Sequence, residues 1–318
     1  MALALAGLLL SFSSLSGRGG AMASESVAGE KSVAERLGYP SDSKLLIVHA
    51  DDLGMARSVN AASTRAFETG LVNSGSIMVP CPWFAEIADY ARSHPQMDLG
   101  LHLTLTSEWK FYRWGPVMSK DQVLSLIDKQ GYLYPLAENV AAHPNLREVE
   151  AELRAQIERA RTFGIEPTHL DSHMGTLYAN RSMLETFIKV ARDYRLPIMF
   201  AKNFIPEAER QQSPVKPEEM LIDRMFTAEP SVTAAGWEDF YIGLIRNLQP
   251  GVTEFIIHLA YDDEEMRAAT IDHPDWGAAW RQRDFNFFTS DKFRRLLEEN
   301  KIKLVTYREL GALAKAAK

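Results

Sequence analysis

Residues 45–54 read Leu-Leu-Ile-Val-His-Ala-Asp-Asp-Leu-Gly, an apolar run without alternation that ends in two adjacent carboxylates and a glycine. Such a run suits a parallel strand covered on both faces, in a sheet whose ligands gather beyond the C-terminal ends of its strands. Helical spacing follows over 57–69, through Val59, Ala62, Ala66 and Phe67, with Gly70 as the stop. A second strand is expected at 75–79. A helix follows at 83–93, with Phe84, Ile87, Ala88 and Ala91 on one face, and His94-Pro95 breaks it before a third strand at 99–105. Beyond an irregular stretch at 106–145, Val149, Leu153, Ile157, Ala160 and Phe163 mark a helix over 146–163, closed by Gly164. The pattern continues as strand 167–171, helix 181–194, strand 197–200, helix 237–248 stopped by Pro250-Gly251, strand 254–259, a capped helix at 290–300 and a last strand at 302–306. Residues 202–217 have no period, and a long loop is expected after 259. About seven strands alternating with helices predict one α/β domain over 41–318 with a parallel sheet, closed or doubly wound.

Composition narrows the partners. The 318 residues are 46% hydrophobic with a net charge of -7, and no Lys/Arg block offers a nucleic-acid surface. Cys81 is the single cysteine, so a metal held by this chain must use histidine and carboxylate. At the N-terminus the apolar run 2–10 and Ala21-Met22-Ala23 have the form of a secretory leader with its cleavage site, predicting export with 1–23 removed and 24–40 as a linker. No other segment is apolar for long enough to span a bilayer.

The Asp51-Asp52 pair needs a reason, because neighbouring carboxylates repel unless a cation or a shared proton intervenes. The plain alternative is a turn begun by Asp52 and a helix capped by Asp51. Other strands favour the cation: His102 lies within 99–105, His169, Asp171 and His173 at the end of 167–171, and His258 in 254–259. Asp52, His102 and His173 all fall at or near C-terminal strand ends and can converge on one rim, where two imidazoles and one carboxylate leave open positions on a divalent ion. The 106–145 stretch interleaves Trp109, Phe111, Tyr112, Trp114, Tyr132 and Tyr134 with Gly and Pro. These aromatics suit stacking on sugar rings, or else a small satellite core.

Four ordered pieces, Ala50-Asp51-Asp52-Leu53-Gly54, Gly100-Leu101-His102-Leu103-Thr104, Thr168-His169-Leu170-Asp171-Ser172-His173 and the late strand bearing His258, resemble the YdjC-type carbohydrate deacetylases of the polysaccharide-deacetylase superfamily. The resemblance implies a distorted (β/α) barrel of about seven strands and removal of acetyl groups from N- or O-acetylated oligosaccharides. It implies Asp52, His102 and His173 as ligands of one divalent metal, Mg or Zn foremost, with Asp51 as base and His258 as acid. Two departures stand out: Met174-Gly175-Thr176-Leu177 follows His173 where relatives often carry further histidines, and His258-Leu259-Ala260 replaces a His-Pro-Gly. The chemistry agrees, since a divalent ion acidifies water and polarises an acyl carbonyl while a carboxylate takes the proton. An imidazole kept protonated by a nearby acid, Asp171 or Asp262, would serve the leaving amine. His49, His169 and Asp171 are expected to fix the tautomers of the ligands, or for the two histidines to be hydrogen-bonded core residues; His49 should share a face with Asp51. Two rival readings remain, a metal phosphoesterase, for which Arg57 and Lys202 would be the cations, and a sugar-binding protein that has lost the reaction.

Overall fold

A computed structural model describes residues 31–316; the expected leader and the first part of the linker lie outside the described residues. The described part of that linker is not plain coil. A short helix α1 (Val33–Arg36) is capped by Ser32 and buries Val33 and Ala34 against the sheet. The chain then alternates β1 (Lys44–Leu53), α2 (Arg57–Glu68), β2 (Ser74–Ile77), α3 (Phe84–Ser93) and β3 (Leu99–Leu103), close to the periodicity in each case. After α4 (Ala137–Ala142) and α5 (Leu146–Thr162) come β4 (Leu170–Ser172), α6 (Arg181–Tyr194), β5 (Arg224–Phe226), α7 (Trp237–Arg246) and β6 (Gly251–His258). The chain closes with α8 (Glu264–Ala269), α9 (Ala278–Phe288), α10 (Asp291–Glu299), β7 (Lys303–Leu304) and α11 (Tyr307–Ala316). No described helix is long and apolar enough to cross a membrane.

All strand pairs are parallel, in the order β4-β3-β2-β1-β6-β5, with β7 beside the start of β1. The sheet curls. Its two edges are linked through single parallel bridges, Leu170 to Ile198 and Ala201 to Ile222, so the ring passes from β4 to β5 by way of the strand expected at 197–200. This is the distorted barrel implied by the resemblance. β1 is buried from Leu45 to Leu53 because neighbours flank it and helices cover its outer face.

Six elements were not legible: α1 lies in the expected linker, α4 in the irregular stretch, and α11 beyond the last expected strand. β5 has three residues and no apolar run, and α8 and α9 lie where a long loop was expected. The inward face of α9 carries Arg281 and Asp284 beside Trp280 and Phe287, which erases the apolar stripe by which a helix is recognised.

The aromatic stretch resolves in favour of the satellite core. Trp109 and Trp114 are buried with Val123, Leu126 and Leu133. The indole of Trp114 donates to the Thr106 carbonyl at 2.8 Å, and that of Trp109 contacts Met55 Sδ at 3.2 Å. Neither can present a face to a sugar ring, which corrects the stacking expectation for both; Phe111, 74% exposed, and Tyr132 are the exposed aromatics of this loop.

Candidate metal centre and active site

The end of β1 is where the two carboxylates become usable. Successive side chains on a strand point to opposite faces, but the β1–β2 register slips between Ala50 and Leu53, and Asp52 sits at φ 69. Aspartate tolerates this left-handed conformation better than most residues. The slip turns both carboxylates toward one imidazole: Asp51 Oδ1 lies 3.8 Å from His102 Nδ1, and Asp52 Oδ1 lies 3.4 Å from His102 Nε2. Gly54, at φ 91, completes the turn where the Met78 carbonyl stands 3.1 Å from where a Cβ would be. Asp51 does not cap α2. Its N-cap is Ala56, and Glu265 accepts from the first-turn N–H groups of Arg57 and Ser58 at 3.2 and 2.8 Å.

Strand register assembles the rest. His102 on β3 pairs with Asp171 on β4, and Asp51 on β1 pairs with His258 on β6. Asp171 Oδ1 accepts from His102 Nδ1 at 2.7 Å, leaving the Nε2 lone pair facing Asp52. His173 Nε2 bonds Glu108 at 3.0 Å, and its Nδ1 lies 3.4 Å from the same Asp52 oxygen. Two imidazole nitrogens whose protons are committed elsewhere thus converge on Asp52 Oδ1, which is buried and has no hydrogen-bond partner. Three lone pairs facing one another call for a cation, and two nitrogens with one oxygen suit a divalent ion with open coordination positions. The ligand atoms lie within 4.8 Å of one another, so the residues fit the group.

The charge balance agrees. Burial works against ionisation of Asp52, yet the Arg281 guanidinium and His173 hold its carboxyl well below the usual carboxylate range. Burial likewise opposes charge on His173, but Glu108 and Asp52 push its pKa up to about 10. The cluster draws positive charge, and a proton and a metal ion compete for it.

Beneath this layer lies a polar core. His49 shares a face with Asp51 as its spacing requires; its Nε2 lies 3.1 Å from Asp51 Oδ1 and 3.2 Å from Asp171 Oδ2, and its Nδ1 bonds Ser74 at 3.0 Å. Burial opposes charge on His49, but Asp171, Asp51 and Glu254 around it raise its pKa well above the ordinary value. Ser76 also donates to Asp51 Oδ1, at 3.2 Å. His169 touches no member of the triad. It stacks on Tyr307 with ring centres 4.0 Å apart, in the space left by the missing side chain of Gly100, and burial with the neighbouring His49 pushes it down to about 4.

His258 departs from expectation. Asp171 serves His102 and His49, and Asp262 pairs with Arg267 at 2.7 Å, so neither acid orients His258. Burial, with Arg281 nearby, lowers its pKa to about 4. The ring is therefore neutral at rest, with Nε2 4.0 Å from Asp51 Oδ2 and Nδ1 buried without a partner.

Ser76, Glu108 and Arg281 are site residues that sequence reasoning missed, Ser76 because a serine in a short strand carries no signal. Glu108 lies within the aromatic stretch, where one carboxylate among many has no distinguishing pattern. Arg281, which donates to Asp52 Oδ2 at 2.7 Å, lies on the helix mistaken for a loop; a charged pair spaced by three among tryptophans and phenylalanines was its only signal.

A family model described as YdjC-like protein matches residues 45–299. A carbohydrate deacetylase of Brevibacillus brevis is 29% identical over 268 residues, covering 84% of this chain and 99% of that protein. A carbohydrate deacetylase of Thermus thermophilus is 32% identical over 276 residues, covering 83% of this chain and 93% of that one. A crystal structure from Enterococcus faecalis V583, of a protein provisionally named for cellobiose-phosphate cleavage, superposes with a TM-score of 0.70 at 26% identity, covering 84% of this chain and 99% of that one. With the family model spanning most of the barrel, the chain belongs to the YdjC-like protein family.

Proposed function

We propose that this protein is a metal-dependent carbohydrate deacetylase that hydrolyses the acetamide, or an acetyl ester, of an acetylated oligosaccharide. The observation that carries the reading is the unpartnered, buried Oδ1 of Asp52 facing His102 Nε2 and His173 Nδ1, whose other ring nitrogens bond Asp171 and Glu108, with a second carboxylate, Asp51, beside it. The names of the relatives support the carbohydrate substrate.

In this reading Asp52, His102 and His173 hold a divalent ion, zinc or magnesium foremost. Such an ion supplies Lewis-acid chemistry, polarising the acyl carbonyl and acidifying water. Asp51 is the base. Its Oδ1 is fixed by Ser76 and His49, which leaves Oδ2 to take a proton from the attacking water. The hydroxyl adds to the acyl carbon, the C–N bond breaks, and acetate leaves. His258, neutral at rest with Nε2 4.0 Å from Asp51 Oδ2, is placed to relay the proton taken by Asp51 through one intervening water and deliver it to the departing amine. Asp171, Glu108 and His49 hold the imidazoles and Asp51 in these orientations.

The rival readings find less support. The cations that would bind a phosphate are engaged, Lys202 with Asp223 at 2.7 Å and Arg57 with Glu86 at 3.8 Å. A binding protein would have no use for a base held in place by Ser76 and His49. The test is release of acetate from N-acetylated and O-acetylated oligosaccharides, and of phosphate from a phosphorylated disaccharide, by protein that is metal-loaded, chelator-treated or reconstituted. Acetate released only with metal supports the proposal. Phosphate release, or binding of the sugar without hydrolysis, refutes it.

A further inference from the structure

Helix α9 turns two polar side chains inward, one turn apart. Asp284 accepts from the backbone N–H of His258 at 3.0 Å and from the Trp237 indole at 2.9 Å, which ties the helix to the end of β6. Arg281, three residues earlier, is 1% exposed and heads the large fully buried side chains. Its Nε donates to the Trp276 carbonyl at 2.5 Å, its guanidinium carbon lies 5.9 Å from the Trp109 ring centre, and its Nη2 donates to Asp52 Oδ2 at 2.7 Å. Among the described residues Asp52 is its only carboxylate partner, and Nη1 is buried with none. Burying a guanidinium carries a desolvation penalty that an apolar side chain of like size would avoid. Packing therefore does not explain the residue.

The two oxygens of Asp52 have different surroundings. Oδ2 is taken by Arg281, whereas Oδ1 has no partner and faces both imidazoles at 3.4 Å. We propose that Arg281 is a positioning residue for the metal centre: by occupying Oδ2 it confines Asp52 to coordination through one oxygen, and by drawing charge from the carboxylate it leaves the ion more electrophilic. The inference rests on the metal reading above. A carboxylate free to bind through both oxygens would fill one of the positions that water and the acyl oxygen need; the arginine keeps that position open. An arginine suits the task because its planar fork reaches Asp52 and the Trp276 carbonyl from one rigid group, which the point charge of a lysine cannot do.

The first test is a crystal structure of the wild-type protein loaded with cobalt(II). Asp52 is expected to bind through Oδ1 alone, with Arg281 still on Oδ2. The second is visible absorption of cobalt-loaded Arg281→Met and Arg281→Lys, since six-coordinate cobalt absorbs more weakly than four- or five-coordinate cobalt. The Met variant is expected to keep one cobalt per chain, to show weakened bands, and to lose about 10–100-fold in kcat/KM, the usual effect of removing a group that orients a metal ligand; the Lys variant falls between. Asp52 bound through both oxygens in the wild type with Arg281 detached overturns the inference, as does a Met variant with wild-type spectrum and kcat/KM. If the Met variant does not fold, the wild-type structure decides alone. Absence of cobalt from the triad in the wild type refutes the metal reading itself, whereas cobalt held there by both oxygens leaves that reading intact.

Discussion

Asp171→Asn should weaken the metal centre without touching a metal ligand. The aspartate accepts from His102 Nδ1 at 2.7 Å on one oxygen, and its other oxygen, buried without a hydrogen-bond partner, faces the charged His49 ring, with Nε2 at 3.2 Å. An asparagine has the same shape but only one accepting oxygen, so one of its own N–H groups must face an imidazole N–H. If the amide oxygen stays on His102, the clash falls on His49 and leaves buried donors unpaired, at a cost of roughly 1–3 kcal/mol in folding stability. If the amide flips, His102 moves its proton to Nε2, the nitrogen turned toward Asp52, and that lone pair is lost to the metal. Either outcome is measurable. Partners of this kind change metal affinity or activity by about 10–100-fold, equivalent to about 1.4–2.7 kcal/mol at 1.36 kcal/mol per decade. The assay is competition for zinc against a chromophoric chelator, with urea unfolding of the metal-free protein in parallel. Wild-type affinity together with wild-type stability would refute the hydrogen-bonding assignment of Asp171.

Three further outcomes are expected. Burial raises Glu254 from 4.5 to about 8, against the pull of His49 and Tyr307; the folded state therefore holds a proton that the unfolded state releases, and stability from this group falls as pH rises through that window. Glu254→Gln, which does not titrate, should gain stability relative to wild type between pH 5 and 8 in thermal melts, and a constant difference would contradict the assignment. Gly100→Ala places a Cβ 2.5 Å from the His169 ring, which is pinned against Tyr307, and should cost about 1–3 kcal/mol by overpacking in urea titration; an unchanged midpoint would mean the ring can move aside. We propose export on the strength of Ala21-Met22-Ala23, so N-terminal sequencing from the native host should begin near Ser24, and an intact Met1 on the functional protein would refute it.

The convergence of Asp52, His102 and His173 was legible because each ends or lies in an apolar strand, and parallel strands deliver their ends to one rim. Which acid orients which histidine was not legible. That depends on register, as in the pairing of His102 with Asp171 across β3 and β4, and short strands fix register only through tertiary packing. The convergence of Asp51 and Asp52 was hidden for a related reason: it needs a bulge and a left-handed aspartate, neither of which periodicity encodes. Arg281 and Glu108 were missed because polar residues turned inward destroy the pattern by which elements are recognised. The aromatic stretch left stacking and a satellite core both open, and the burial of Trp109 and Trp114 decides for the core.

The division of labour within the carboxylate pair is decided by the metal content and turnover of Asp51→Asn and Asp52→Asn, measured side by side on an acetylated oligosaccharide. Asp51→Asn should keep one metal ion per chain and lose about 10²–10⁴-fold in kcat, the effect of removing a general base. Asp52→Asn should lose the metal and the activity together. Equal metal loss in both variants, or near-normal turnover by Asp51→Asn, would contradict the assignment of the two aspartates and with it the proposed site.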